Sequence, residues 1–382
     1  MSEWKKVKLG EICERVTSGG TPKANVSSYY NPPTIPWLKT KEVNYCRITE
    51  TENYISEEGL KNSSAKIISP NSVIIAMYGQ GDTAGRIAIN KIPLATNQAC
   101  CNLTIDKSKA DYEFIYYQLC TLYDKLVSLK AGAAQPNLNA RIIKNLEIIM
   151  PSLPIQHRIA SILSRYDSLI ENYQKQIKLL EEAAQRLYKE WFIDLHFPGH
   201  ENTKIIDGLP EGWEKKKVGD ITPIITGKKD ANFGTPDGEY PFFTCSQEPI
   251  KAPSFSFDCA AVLLAGNGDF NVKLYRGRFE AYQRTYVLSP YIDSHLYLLF
   301  YTISANMTKL AAGSSGSTIK FLTKGMIDGI NLNVPNDEIL RSFNKKVEPI
   351  QSSRESLQSQ LRLLTEARDR LLPRLMNGEI KV

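Results

Sequence analysis

The strongest constraint in this sequence is an apolar-periodic run from Leu153 to about Phe192. Its large apolar residues fall at Ile155, Ile159, Ile162, Tyr166, Leu169, Tyr173, Ile177, Leu180, Ala184, Leu187 and Trp191. The spacings alternate four and three with one extra four between Tyr173 and Ile177, a heptad seam with a single stutter. Such a seam belongs to a helix lying along a partner helix. Pro154 sits in the first turn, where a missing N–H costs nothing, and no other Pro or Gly follows before Pro198. A helix of roughly 38 residues is about 57 Å long, too long to be buried in one ordinary core.

The partner lies in the same chain. From Pro335 a second periodic run carries Ile339, Phe343, Val347, Ile350, Leu357, Leu361, Leu364, Leu371 and Leu375. An offset of 184, from Pro151 to Pro335, also matches Ile155 with Ile339, Leu180 with Leu364, Glu182 with Glu366, and Arg186 with Arg370. A repeat at fixed spacing governs everything else about a fold. The strand-like sequence between the two copies argues against a plain helical bundle. The repeat also begins before the helices, since Trp4, Leu9, Gly10 and Ile12 match Trp213, Val218, Gly219 and Ile221. Each unit thus starts at a Trp, passes through a mixed domain and ends in a long helix.

Within the units, Ser72–Tyr78 reads as a buried strand ending at Gly79-Gln80-Gly81-Asp82. Its counterpart, Ala260–Ala265, ends at Gly266-Asn267-Gly268-Asp269, an offset of 187 between Gly79 and Gly266. Each unit then carries an amphipathic helix, near 112–130 and 294–310. A small-residue loop follows (131–135 and 311–316), then a last strand ending at a Pro. The expected domains are 1–152, a spacer helix 153–193, a linker 194–211, a second domain 212–334, and a second helix with tail 335–382. The fold class is α+β: two β-rich mixed domains in pseudo-two-fold repeat, separated by two long antiparallel coiled-coil helices.

Composition closes off other classes. Hydrophobic content of 42% with 23% charged residues describes a globular chain, not a disordered one. The start Met-Ser-Glu-Trp-Lys-Lys has no basic-then-apolar leader, and no stretch approaches about 18 apolar residues, so a cytoplasmic protein with no membrane span is expected. Seven scattered Cys without a CxxC spacing read as reduced thiols, not a disulfide framework or zinc site. A net charge of +6 leans towards an anionic partner.

The chain resembles the specificity subunit of Type I restriction–modification systems over nearly its whole length. The carriers are the domain–helix–domain–helix order, the Gly208-Leu209-Pro210-Glu211-Gly212-Trp213 start of the second unit, and the Gly-x-Gly strand ends. The Pro-x-x-x-x-Gln-x-x-Ile start of the first helix and Leu371–Glu379 complete the set. One departure is Leu340, which stands where the first copy has Gln156. The resemblance implies two target-recognition domains, each reading half of a split site on double-stranded DNA. It implies helices that set the spacing and dock methyltransferase subunits, and restriction subunits joined through the complex. It also implies no catalysis in this chain, with S-adenosylmethionine, ATP and magnesium held by partner subunits.

Loops on a rigid scaffold usually carry the binding residues. Asn and Gln pair bidentately with adenine and Arg with guanine, while other polar and basic groups hold phosphates. The first-unit DNA-binding candidates are Thr17, Ser18, Lys39, Lys41, Gln80, Arg86, Asn97, Gln98, Gln135, Asn137 and Asn139. In the second unit they are Thr226, Lys228, Lys229, Asn267, Lys273, Arg276, Arg278, Gln283, Arg284, Ser317 and Lys320. Gln98 and Arg284 are read as occupying matching places. Apolar helix residues beyond the seam, Leu163, Ile170 and Leu179, are candidates for docking a partner helix. Asn31-Pro32-Pro33-Thr34 lacks the aromatic of an amino-methyltransferase motif, His196 and His200 are separated by Pro and Gly, and no P-loop is present. The competing function is a non-catalytic scaffold whose two β-rich domains bind proteins.

Overall fold

The long seam forms the helix Leu153–Tyr188, which continues as a single wide turn through Ile193, and the second run forms Asp337–Met376. The protein is described here from a computed structural model covering residues 4–131, 137–314 and 320–382, without the side chains of residues 130 and 131. It divides into two compact units, Met1–Asn172 with Gln360–Val382, and Tyr173–Ser359, so each long helix contributes one part to each unit.

In the first unit, Lys5–Lys8 pairs antiparallel with Glu147–Met150, the strand that leads into the long helix. The main sheet has the order Cys13–Ser18, Cys100–Ile105, Val73–Ala76, Ile87–Asn90, Cys46–Ile48, with the last pair parallel. The strand Ile35–Leu38 runs parallel to Leu94–Thr96 and antiparallel to Tyr54–Ile55. The helix Tyr112–Thr121, capped by Asp111 through the Phe114 N–H, covers the sheet with Phe114, Ile115 and Leu119 fully buried.

The second unit repeats this plan. Glu214–Lys217 pairs antiparallel with Asn331–Val334, the strand before the second long helix. Its sheet has the order Ile225–Thr226, Thr285–Leu288, Phe257–Ala265, Val272–Ala281, Tyr240–Phe243, Ile250–Ala252. Tyr240–Phe243 is parallel to the end of Val272–Ala281, as Ile35–Leu38 is to Leu94–Thr96. Its covering helix, Leu296–Gly313, begins 184 residues after Tyr112. Between the last turn of the long helix and Trp213, the Ile205–Ile206 and Leu209–Pro210 hairpin forms. Trp213 packs there at 4.9 Å from Phe197 and 5.7 Å from Phe192.

The helix pairing shows in cross-helix contacts inside each unit. Asp167 meets Arg368 at 2.9 Å in the first, and Glu181 meets Arg354 at 3.5 Å in the second. Positions rise along one helix as they fall along the other, so the pairing is antiparallel.

The expected seam holds at Ile155, Ile159 and Ile162, which pack in the first-unit core, and departs at Leu169. Leu163, Asp167 and Ile170 are buried, while Leu169 is 44% exposed. The first domain packs against this part of the helix and draws a neighbouring stripe inward. Leu163 and Ile170 therefore do not present a partner-docking face; both are used by the unit's own packing. Leu179, 63% exposed, does stand free in the described chain.

Asp167 anchors a buried charge network. Its carboxylate accepts from Arg47 at 2.8 Å, from Tyr117 Oη at 2.6 Å and from Arg368 at 2.9 Å. Arg47 reaches onward to Glu113 at 2.6 Å, and Glu113 also holds Lys91 at 2.9 Å. Burial pushes the Asp167 carboxyl up, but the hydrogen bonds from Tyr117, Arg368 and Arg47 outweigh it and hold the group below the usual carboxylate range. The 184 offset places Tyr301 and Gln351 at the positions of Tyr117 and Asp167, and these two are again hydrogen-bonded.

Gln156 explains the departure at Leu340. Fully buried, it donates to the Pro151 carbonyl at 2.9 Å and accepts from the Asp111 N–H at 3.0 Å. Gln156→Leu would leave both backbone groups buried and unpaired, at about 1–3 kcal/mol each. A melting midpoint lower by several degrees is expected, and an unchanged one would show that solvent reaches those groups.

Candidate nucleic-acid interface

The backbone hydrogen bonds at one end of the central strand superpose the two units residue by residue. Met77 N–H donates to Ala99 O at 2.7 Å, and Gly266 N–H to Arg284 O at 2.8 Å. Leu138 N–H donates to Met77 O at 3.2 Å, and Leu322 N–H to Gly266 O at 2.8 Å. Asn97 N–H donates to Leu38 O at 2.9 Å, and Tyr282 N–H to Phe243 O at 3.0 Å. Gly19 and Gly227 donate to Cys100 O and Thr285 O at 3.3 and 3.2 Å. A Cβ at either glycine would collide with a carbonyl oxygen of the facing turn, Thr96 or Ala281, which is why glycine stands in both places.

These contacts correct two sequence matches. Met77, not Gly79, is the counterpart of Gly266, an offset of 189, so the two Gly-x-Gly pieces are out of step by two residues. Arg284 corresponds to Ala99, and Gln98 to Gln283.

Four segments therefore converge at this end of each domain. They are the end of the second strand (Gly19–Thr21; Gly227–Lys229), the turn before Cys100–Ile105 or Thr285–Leu288 (Asn97–Ala99; Tyr282–Arg284), the central strand end, and the residues after the small-residue loop (Asn137–Asn139; Lys320–Leu322). On this common frame the side chains differ. Thr21 donates to Gln98 in the first domain; at the same place Lys229 accepts through its carbonyl from Gln283 N–H at 2.9 Å. Thr21, Tyr282 and Phe321 belong to this surface and were missed from sequence; they stand opposite Lys229, Asn97 and Asn137 at offsets of 208, 185 and 184, a changing spacing that only the hydrogen bonds reveal.

The first-domain candidates divide by their bonding. Thr17 and Ser18 pair in register with Asn102 and Cys101. Lys39 bonds Asn53 Oδ1 at 2.9 Å and lies 5.0 Å over Trp37, whereas Lys41 is exposed with Glu52 at 3.6 Å. Gln80 and Gln98 are exposed, and Arg86 pairs with Asp82. Asn97 Oδ1 accepts from Cys100 Sγ. Asn137 is exposed, while Asn139 Oδ1 caps the short helix Ala140–Lys144 through Ile142 N–H at 2.9 Å. Gln135 lies outside the described residues.

In the second domain, Thr226 pairs with Tyr286 and Lys229 lies 4.3 Å over Phe233. Lys228, Gln283, Arg284 and Lys320 are exposed on the convergent surface, and Asn267 bridges to Phe321. Lys273 is half-buried and holds Ser246 O at 2.8 Å; burial pushes its ammonium below the ordinary lysine value. Arg276 and Arg278 do not join this surface. They face Ala260 and Asp258 in register, with Arg276 over Tyr297 and Arg278 bonded to Asp258 at 3.2 Å. Ser317 lies outside the described residues.

The surface is polar and basic, built on backbone turns, with aromatic Tyr282 and Phe321 among amides and cations. Such a set can hold phosphates and reach base edges. Among the described residues no group of His, Cys, Asp and Glu could hold a metal ion, and no helix is long and apolar enough to cross a membrane.

Comparison with known proteins agrees with this architecture. The chain is 28% identical over 416 residues to the Type I restriction enzyme MjaIX specificity subunit of Methanocaldococcus jannaschii, covering 100% of this chain and 94% of that protein. It is 37% identical over 176 residues to the EcoDI specificity subunit of Escherichia coli, across 45% of this chain and 39% of that protein. The crystal structure of a Type I restriction–modification S subunit from M. genitalium shares the fold, with a TM-score of 0.68 at 17% identity, over 97% of this chain and 96% of that one. The model of the Type I restriction modification DNA specificity domain matches residues 1–182 and 210–353, and the chain belongs to that family.

Proposed function

We propose that this chain is the DNA-sequence-recognition subunit of a Type I restriction–modification complex. Each domain reads one half of a bipartite site, and the paired helices act as spacer and as dock for methyltransferase subunits. The observation that carries this reading is the pair of matched frames with unmatched side chains. Gly20, Thr21, Asn97 and Ala99 stand where the second domain has Lys228, Lys229, Tyr282 and Arg284. A shared scaffold fixes where the loops meet DNA, and the exchanged side chains let the two halves read different bases.

The chain is a cytoplasmic binding subunit without catalysis of its own. Methylation and ATP-dependent cleavage, with S-adenosylmethionine, ATP and magnesium, belong to the methyltransferase and restriction subunits. Binding of the chain, assembled with its methyltransferase subunit, to duplex DNA at rising salt tests the reading. Log affinity should fall with log salt by about 0.9 per phosphate neutralised. An assembly with no affinity for DNA at low salt would instead favour a protein-binding scaffold.

A further inference from the structure

The two units differ in how they treat one buried guanidinium. In the first, Arg47 lies 5.5 Å over Tyr116 and 5.9 Å over Tyr117, and its donors are met by Glu113 and Asp167. In the second, the 184 offset puts Phe300 and Tyr301 at the places of the two tyrosines. A guanidinium again lies over the first of these rings, but it comes from the long helix: Arg354, 5.8 Å from Phe300. The positions of Glu113 and Asp167 are now Tyr297 and Gln351, so neither carboxylate is present.

Arg354 is correspondingly under-satisfied. Its side chain is 13% exposed, its only ion pair among the described residues is a 3.5 Å contact to the rim residue Glu181, and its Nε is buried without a partner. An arginine carries five donors and cannot shed its charge, so a nearly buried one with a single long contact is costly. Beside it lies a cavity of about 250 Å³, lined by Gln185, Ser304, Tyr301 and Glu181 as well as Arg354 and Phe300.

We propose that this cavity is the receptor for a carboxylate side chain presented by the protein partner of the second unit, supplying from outside the anion that the first unit supplies from within. A carboxylate on a two- or three-carbon stem can reach a guanidinium this deep and match its fork bidentately. That the partner is a methyltransferase subunit rests on the functional reading above.

The test uses the full chain and its cognate methyltransferase subunit. Arg354→Met should leave the melting temperature of the chain alone unchanged or higher, because it removes a poorly paired buried charge. The same change should weaken association with the subunit at least tenfold. Arg354→Glu should abolish association, and a Lys replacing one acidic residue of the subunit should restore it. Association of the Met variant as tight as wild type, or no acidic position that rescues the Glu variant, overturns the proposal. So does unchanged association with weakened DNA binding by the assembled complex, which would assign the cavity to a phosphate. If the wild-type chain itself fails to bind the subunit, the functional reading falls too, which separates that failure from a failure of the cavity alone.

Discussion

Arg47→Met is expected to destabilise the first unit by about 3–5 kcal/mol, the cost of breaking a buried pair from one side. The loss is large because Arg47 spans three elements: its strand, Glu113 on the covering helix and Asp167 on the long helix. After its removal Glu113 keeps Lys91 and Asp167 keeps Arg368, but each carboxylate has lost its closest cation. Hydrogen exchange, read separately on peptides of the two units, should show faster opening in the first only. Adding Asp167→Asn to the Met variant should recover part of the loss, since the two sites share one interaction. The sign of the pH dependence follows from the carboxyl. The folded value of Asp167 lies below its unfolded value of about 3.9, so its contribution is present above about pH 4 and disappears as pH falls through the folded value. Gln351 at the matching place carries no such dependence. Acid should therefore open the first unit ahead of the second. Simultaneous opening, or a stable Met variant, would show that the network contributes little.

Exchange of the first domain for that of a related chain should change one half of the methylated motif completely and leave the other half intact. The joints lie at the strands that open and close the domain, Lys5–Lys8 and Glu147–Met150, which pair with each other and leave the second unit's own Glu214–Lys217 with Asn331–Val334 pair untouched. Mapping N6-methyladenine across host DNA reads the outcome. A change in both halves would sink independent reading by the two domains. A smaller version of the same experiment replaces Lys229 by Thr and Arg284 by Ala, giving the second domain the residues of the first at those two places. Loss of affinity with a shallower salt slope would mark them as phosphate contacts; a changed base preference would mark Arg284 as a reader of base edges.

Much of this architecture is legible in the sequence because its signals are local. Helical periodicity reports on neighbours three and four residues apart, so both long helices and their order can be read directly. The repeat supplies the rest: the offset of 184 read from Pro151 and Pro335 extends unchanged to Tyr117 and Tyr301, and to Asp167 and Gln351. What could not be read are choices made by distant partners. Asp167 looks like a solvated residue beside a seam, and its burial depends on Arg47, Tyr117 and Arg368, all distant in the chain. Leu163 and Ile170 look like spare apolar surface until the domain is seen packed on them. The two Gly-x-Gly pieces look equivalent, yet strand register is set by hydrogen bonds across the sheet, and those bonds pair Met77 with Ala99 and Gly266 with Arg284. The sequence by itself determined a duplicated domain on paired helices, because periodicity and repetition are written along the chain. Tertiary structure alone decided which loops meet, which charges are buried and which guanidinium is left wanting a partner, because those depend on residues brought together from far apart.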